Sequence, residues 1–403
     1  MSRIGTGVVL GVVSTLGVVG PAVGQEPARK AAPPVIAAVK QAMEQFVADR
    51  EIAGAVTLVS EAGRTVHLDA TGRADLAADK PMRADAIFWI ASMTKPITAT
   101  AVLMLQDEGK LSVDDPVDKY LPGFKDLKTA AGAPARITIK HLLTHTSGMA
   151  DISSDESRKI TTLAEAIPLF VAKPVAFEPG TKWAYCQSGI NTAARVVEVV
   201  SGQTFPEFLD ARLFKPLGLR NTTFYLTEEQ VPRLAKSYRK GPGGALTEVP
   251  VPVFMGKPLT SRDRYPMANG GLFSTARDYA RFCRMLLDGG TFRGMRYLKP
   301  ETVRQMTTIQ TGAIKTGFTP GNGWGIGCCV VREPQGVTAM LAPGSFGHGG
   351  AFGTQAWVDP VAKRVYLLLV QRADFPNSDA SPVRLGFQEA AARSLGGKAA
   401  SGQ

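Results

Sequence analysis

Cysteine and histidine are scarce, with four of each in 403 residues, and that scarcity narrows the chemistry before any motif is read. The cysteines are Cys186, Cys283, Cys328 and Cys329. Their spacing fits no zinc pattern and neighbours such as Cys328 and Cys329 rarely bridge each other, so buried thiols with at most one unassigned disulfide are expected. The histidines are His67, His141, His145 and His348, with no H-E-x-x-H among them. His67 falls in a predicted strand, as a surface or packing residue. His141 and His145 stand four apart on a predicted helix but have no third ligand near, so no metal and no other cofactor is expected. No G-x-S-x-G occurs either, which removes the nucleophile elbow of the α/β-hydrolases. The formal charge is +11, yet Lys and Arg are scattered rather than run together. Nucleic acid is therefore not the expected partner; a basic surface attracts anions only weakly and in a salt-dependent way.

Long apolar runs are missing after the first two dozen residues. Arg3, the run from Ile4 to Val23 and the small residues Ala22-Val23-Gly24 predict a signal peptide over 1–24, cleaved about after Gly24. The run approaches the length of a membrane span, but its glycines and the polar Gln25-Glu26-Pro27 favour cleavage over an uncleaved anchor. The expected product is exported, periplasmic or secreted, with no stable membrane insertion.

What is present is the composition of a globular chain, 44% hydrophobic and 20% charged. A helical period over 34–50 precedes a β-hairpin made of 53–60 and 65–70. Helices are predicted from Ser92 to Gly109, behind Thr138, and over 160–172, 189–201 and 205–215; 218–265 reads as irregular. Thr275-Ala276-Arg277-Asp278 is a capping box for a helix to Asp288, and another helix lies near 300–308. Strands follow at 323–331, 345–350, 353–358 and 364–371, then a helix over about 382–395. The fold class is α/β of the α+β type: an antiparallel sheet flanked by helices, with a large all-helical insertion. The α/β part covers about 34–90 and 265–398 and the helical part about 91–264, within one domain over 25–403.

Three short stretches carry chemistry. In Phe88-Trp89-Ile90-Ala91-Ser92-Met93-Thr94-Lys95-Pro96 an apolar approach opens a helix, and Ser92 and Lys95 stand at i and i+3 on one face. A serine hydroxyl needs a base, and desolvation turns a lysine into one. Two fixed positions arise often by chance, usually as a solvated helix start. In Trp183-Ala184-Tyr185-Cys186-Gln187-Ser188-Gly189, Tyr185 lies on a loop before a helix; it serves as a general base if cations lower its pKa, and as plain packing otherwise. Gly347-His348-Gly349-Gly350-Ala351 is placed on a late strand whose glycines admit a substrate to the backbone. The N–H groups of Ala351 and Ser92 then form an oxyanion hole; the bland alternative is a glycine-rich turn.

The order S-x-x-K, Y-x-(N/Q), x-G-G resembles the serine β-lactamase and penicillin-binding-protein superfamily, in particular the class C β-lactamase-related branch with its family VIII carboxylesterases and D-amino-acid-specific peptidases. Leu111-Ser112-Val113-Asp114-Asp115-Pro116-Val117, His141-Leu142-Leu143-Thr144-His145-Thr146-Ser147-Gly148, Phe214-Lys215-Pro216-Leu217-Gly218 and Gly270-Gly271-Leu272-Phe273-Ser274-Thr275 support the resemblance, which covers nearly all of 35–395. It implies a covalent acyl-enzyme: Ser92 attacks a carbonyl, Lys95 and Tyr185 shuttle protons, and water releases the acyl group. Lys315-Thr316-Gly317 is a literal K-T-G, but a turn-rich run with Pro320 follows it, so His348-Gly349-Gly350 is preferred as the third box. Two departures concern the substrate. The third box carries His348, expected to be partly charged near neutral pH, in place of lysine. The second carries Gln187, whose extra methylene is expected to displace the amide that would touch an acylamide side chain. Both favour a carboxylesterase-like enzyme acting on a small ester or amide over an efficient β-lactamase, and leave weak β-lactam hydrolysis and D-amino-peptide cleavage open. The alternatives are a class C-type β-lactamase or D-alanyl-D-alanine carboxypeptidase, and a non-catalytic penicillin-binding sensor. Natural substrate and oligomeric state are not readable here; the 149–160 and 218–265 segments are expected to shape the pocket.

Overall fold

Residues 54–81 and 322–370 meet in one antiparallel sheet. A computed structural model describes residues 1–12 and 34–396. Residues 1–12 are exposed and without regular structure, and the remainder of the expected signal peptide, 13–24, lies outside the described residues. Among the described residues no helix is long and apolar enough to cross a membrane.

The sheet is built from β1 (Gly54–Glu61), β2 (Arg64–Asp75), β3 (Lys80–Pro81), β4 (Asn322–Trp324), β5 (Cys329–Val331), β6 (Phe346–Gly349), β7 (Gln355–Asp359) and β8 (Arg364–Val370), in the order β4-β5-β6-β7-β8-β1-β2-β3. β1 and β8 are neighbouring interior strands, in register from Ala55 opposite Val370 to Glu61 opposite Arg364. Both are almost continuously buried, because successive side chains point to opposite faces and both faces are covered. Val56, Leu58, Val365, Leu367 and Leu369 enter one core, with Phe282 and Leu286 of helix Ala276–Leu287. Ala55, Val59, Tyr366, Leu368 and Val370 enter the other, with Val39 and Met43 of α1 (Ala37–Ala48) and Phe387 of the terminal helix Pro382–Ser394.

Between the β3 and β4 strands the chain is mainly helical. Its centre is α2 (Thr94–Asp107), buried at every position from Thr94 to Leu105. Around it lie α3 (Ile139–Leu143), α4 (Leu163–Val171) and α5 (Gln187–Ser201).

Several expectations are corrected. The predicted strand over 323–331 is a hairpin, β4 and β5, reversing through Gly325–Cys328. Gly327 has φ 74° and lies so close to α2 that a Cβ would come within 2.4 Å of Ala99 Cβ, so the turn needs glycine. The helix over 205–215 breaks into Phe205–Leu209, a π-helical turn at Asp210–Phe214, and Lys215–Leu217. Within the irregular 218–265 run, Ser237–Lys240 pairs with Leu246–Val249 and with Arg372–Ala373. Thr275 does cap its helix, but the Asp278 carboxylate turns away to accept the Asn221 N–H at 2.7 Å instead of closing the box. His145 lies past the end of α3 at φ 59°, not on one helix with His141. His67 is a packing residue, fully buried and bonded to Thr57 Oγ1 at 2.8 Å. All four cysteines are buried and free, so the one allowed disulfide is not formed.

Candidate active site

Ser92 sits in a single 3₁₀ turn, Ala91–Met93, that feeds α2. Ala91, just before it, has φ 45°, a sparsely populated conformation for a residue with a side chain. The turn is held by Thr94 Oγ1 donating to Ala91 O at 2.7 Å and by Ile90 N donating to Leu272 O at 3.0 Å. Gly350 packs against it: a Cβ there would stand 2.7 Å from Ile90 O. That close approach is why position 350 takes a glycine.

One turn on, Lys95 is wholly buried and its ammonium meets three oxygens: Ser92 Oγ at 3.1 Å, Gln187 Oε1 at 2.8 Å and the Asn269 carbonyl at 2.8 Å. Burial lowers its pKa to about 7, with Asp151, Cys186 and Asp379 opposing the shift. Near neutral pH the amine and ammonium forms are therefore comparably populated. Only two of the three partners are obligatory acceptors. The neutral amine keeps its two hydrogens on Gln187 Oε1 and Asn269 O and turns its lone pair to the Ser92 hydroxyl.

Tyr185 lies on the loop before α5, its ring centre 4.5 Å from Lys95 Nζ. The His145 and Phe318 rings enclose it at 4.4 and 4.9 Å, and its hydroxyl is 3.5 Å from His348 Nε2. The expectation of a pKa lowered by cations fails. Burial raises it well above the usual tyrosine value, more than a hydrogen bond with Ser92 lowers it, so the phenol keeps its proton.

His348 on β6 is buried, with Nδ1 2.6 Å from Gly349 O. A carbonyl only accepts, so Nδ1 carries the proton and Nε2 faces Tyr185 bare. Burial, reinforced by Lys95, lowers its pKa to about 3. The expected partial charge is absent: the ring is neutral. Gln187 opens α5, and its Oε1 lies between Lys95 Nζ and Asn269 Nδ2, the latter at 2.9 Å. Gly349 ends β6, while Gly350 and Ala351 lie in the turn after it rather than on the strand. Lys315 is exposed, outside any strand.

Sequence reasoning missed the residues that hold these groups. Asp151 Oδ1 accepts the N–H groups of Gln187 and Ser188, at 2.7 and 2.8 Å, at the start of α5. His145 Nδ1 accepts the Cys186 N–H at 3.2 Å, leaving its buried Nε2–H without a partner. Asn269, which supplies a carbonyl to Lys95, is joined to Asn191 at 3.0 Å. Their signals were adjacent to stretches already noted: Asp151 follows His145-Thr146-Ser147-Gly148 and Asn269 precedes Gly270-Gly271.

Ser92, Gln187, Asn269 and Ala351 line one cavity of about 770 Å³. Its walls include Phe170, Val253, Tyr265 and Met267, with contributions from Asp151–Arg158 and Pro250–Gly256. Both segments expected to shape the pocket do so.

The β-lactamase family profile matches residues 39–390. Protein Rv1367c of Mycobacterium tuberculosis is 33% identical over 364 residues, covering 83% of this chain and 90% of the relative. Esterase EstB of Burkholderia gladioli is 30% identical over 358 residues, covering 82% and 88%. Among solved structures, EstCE1, a hydrolase with promiscuous acyltransferase activity, superposes with a TM-score of 0.76 at 26% identity, covering 87% of this chain and 97% of that one. The chain belongs to the β-lactamase family, whose members are serine hydrolases.

Proposed function

We propose that the protein hydrolyses uncharged carboxylic esters through an acyl-enzyme on Ser92, after export by a leader removed near Gly24. The observation that carries this reading is the three-way bonding of Lys95 Nζ. The neutral amine takes the Ser92 proton as Oγ attacks the ester carbonyl, while Gln187 and Asn269 hold it in place. The oxyanion is received by the N–H groups of Ser92 and Ala351. As the intermediate collapses, Tyr185 gives its proton to the leaving alcohol and regains one from the Lys95 ammonium. Water then enters by the reverse route and releases the acid. The large, mainly apolar cavity takes the acyl group.

Esters are favoured over β-lactams and peptide C-termini because those substrates carry a carboxylate. The group at the third box is a neutral imidazole, which offers no charge to grip one. EstB, an esterase by name, fits the same reading.

The test compares p-nitrophenyl butyrate, nitrocefin and a D-Ala-D-Ala peptide on the wild type and Ser92→Ala. Ester turnover should dominate and vanish in the variant. A nitrocefin kcat/KM well above that for the ester would overturn the assignment. Labelling by a fluorescent penicillin with no turnover of any substrate would point to a sensor.

A further inference from the structure

A second cavity, of about 480 Å³, shares no lining residue with the first. Five arginines line it: Arg220, Arg233, Arg277, Arg281 and Arg293, with only Asp85 and Asp278 of opposite sign. We propose that this cleft binds a multiply charged oxyanion, of the phosphate or polycarboxylate kind.

Two of the arginines are structural. Arg233 donates to the Asp85 carbonyl at 3.1 and 2.6 Å and to Asn221 Oδ1 at 2.7 Å. Arg281 donates to the Gly218 carbonyl. The two carboxylates are engaged as well. Asp85 pairs with Arg83 at 2.9 Å and Arg233 at 3.6 Å. Asp278 is 3% exposed, accepts the Asn221 N–H and lies 3.7 Å from Arg281. Among the described residues, Arg220, Arg277 and Arg293 form no ion pair, and all three are exposed. The cleft therefore presents three guanidinium groups without a carboxylate partner, Arg293 resting over the Phe292 ring at 5.4 Å, on a floor whose acids are already satisfied.

Two of these three occupy positions that local structure would fill otherwise. Arg277 stands in the first turn of the helix Ala276–Leu287, where the helix dipole favours an acid. Arg293 has φ 49° and, with Gly294 at φ 81°, makes the two-residue turn between Thr291–Phe292 and Met295–Arg296. Such a turn prefers asparagine or aspartate before its glycine. Independently, Tyr297 in the cleft wall is 7% exposed and its buried hydroxyl has no hydrogen-bond partner among the described residues. A buried hydroxyl normally finds one; an oxyanion oxygen would provide it. Planar guanidinium forks pair bidentately with phosphate and carboxylate alike, so several negative oxygens around one ligand match the three arginines together.

The full-length protein should be titrated calorimetrically with inorganic pyrophosphate, and separately with citrate, in about 50 mM salt, where surface electrostatics are only partly screened. One site per chain is expected. Arg277→Ala/Arg293→Ala should weaken it by about tenfold or more and Tyr297→Phe by less, while p-nitrophenyl butyrate turnover stays at the wild-type level. Pyrophosphate should also raise the thermal midpoint of the wild type but not of the double variant. Citrate bound as tightly as pyrophosphate assigns the site to polycarboxylates, and weaker citrate assigns it to phosphates. The control Arg64→Ala/Arg304→Ala removes the same charge elsewhere and should leave affinity unchanged. Equal weakening in the control would overturn the proposal, as would no binding of either probe.

Discussion

Replacing Lys95 by methionine should abolish ester turnover and, at the same time, change how stability depends on pH. Lys95 is wholly buried and its pKa falls from 10.5 to about 7 on folding, through desolvation. Between those values the unfolded chain binds a proton at this site that the folded chain does not, so wild-type stability rises with pH across that window. At 1.36 kcal/mol per unit, the charged lysine costs the fold about 5 kcal/mol at acid pH, and the cost is lost progressively as pH climbs from about 7 to 10.5. Methionine removes the titrating group but leaves the Asn269 carbonyl without its donor, a pH-independent penalty of about 1–3 kcal/mol. The absolute change therefore mixes two effects, whereas its pH dependence isolates one. Urea denaturation of both proteins at pH 6 and pH 9 should show the stability difference shifting toward the wild type by about 2.5 kcal/mol at the higher pH. The wild-type kcat/KM should rise with pH to a plateau, with its half-point near 7. A stability difference that does not change with pH would refute the depressed lysine and, with it, the amine as the base.

Three further outcomes follow from the site. Tyr185→Phe should lower kcat by about 10²–10⁴-fold with little change in KM, read from steady-state kinetics on p-nitrophenyl butyrate; because burial holds the phenol protonated, the wild-type rate should show no alkaline break below pH 10. Lys315→Ala should leave ester turnover within about twofold, while His348→Ala cuts it severely; the reverse pattern in parallel assays would move the third box to the K-T-G loop. Asp151→Ala takes the acceptor from the first N–H groups of α5, so it should cost about 1–2 kcal/mol in urea denaturation and reduce kcat through Gln187, with Asp151→Asn restoring part of both.

How far the site could be read from sequence depended on how local each contact is. Ser92 and Lys95 were legible because an i, i+3 spacing fixes their meeting within one helical turn. The Lys95 contact with the Asn269 carbonyl spans 174 residues and uses backbone, which carries no residue signature. The protonation states of Tyr185 and His348 were misjudged for a related reason. Their pKa shifts come chiefly from desolvation, and burial is a property of the packed protein rather than of neighbours in the chain. The interior strands β1, β2, β6, β7 and β8 and the longer helices were readable from their apolar periods. The 323–331 hairpin was not, because Gly325 and Gly327 fit a strand as easily as a turn until the Met306 and Thr308 carbonyls are packed beside the first and α2 beside the second.

The β1–β8 pairing sets the order in which the protein can be made. Glu61 at the end of β1 is joined to Arg364 at the start of β8, 303 residues later. Until β8 arrives, β1 and β7 both present an open edge, and unpaired edges recruit other chains. Pairing so remote in sequence is slow to form. The Ser92 turn is synthesised early, yet the strand that carries His348 is held by β7, and β7 by β8. A chain ending before Arg364 would therefore possess Ser92, Lys95, Tyr185 and His348 and still be inactive and prone to aggregate, so reactivity arises only once nearly the whole polypeptide has folded.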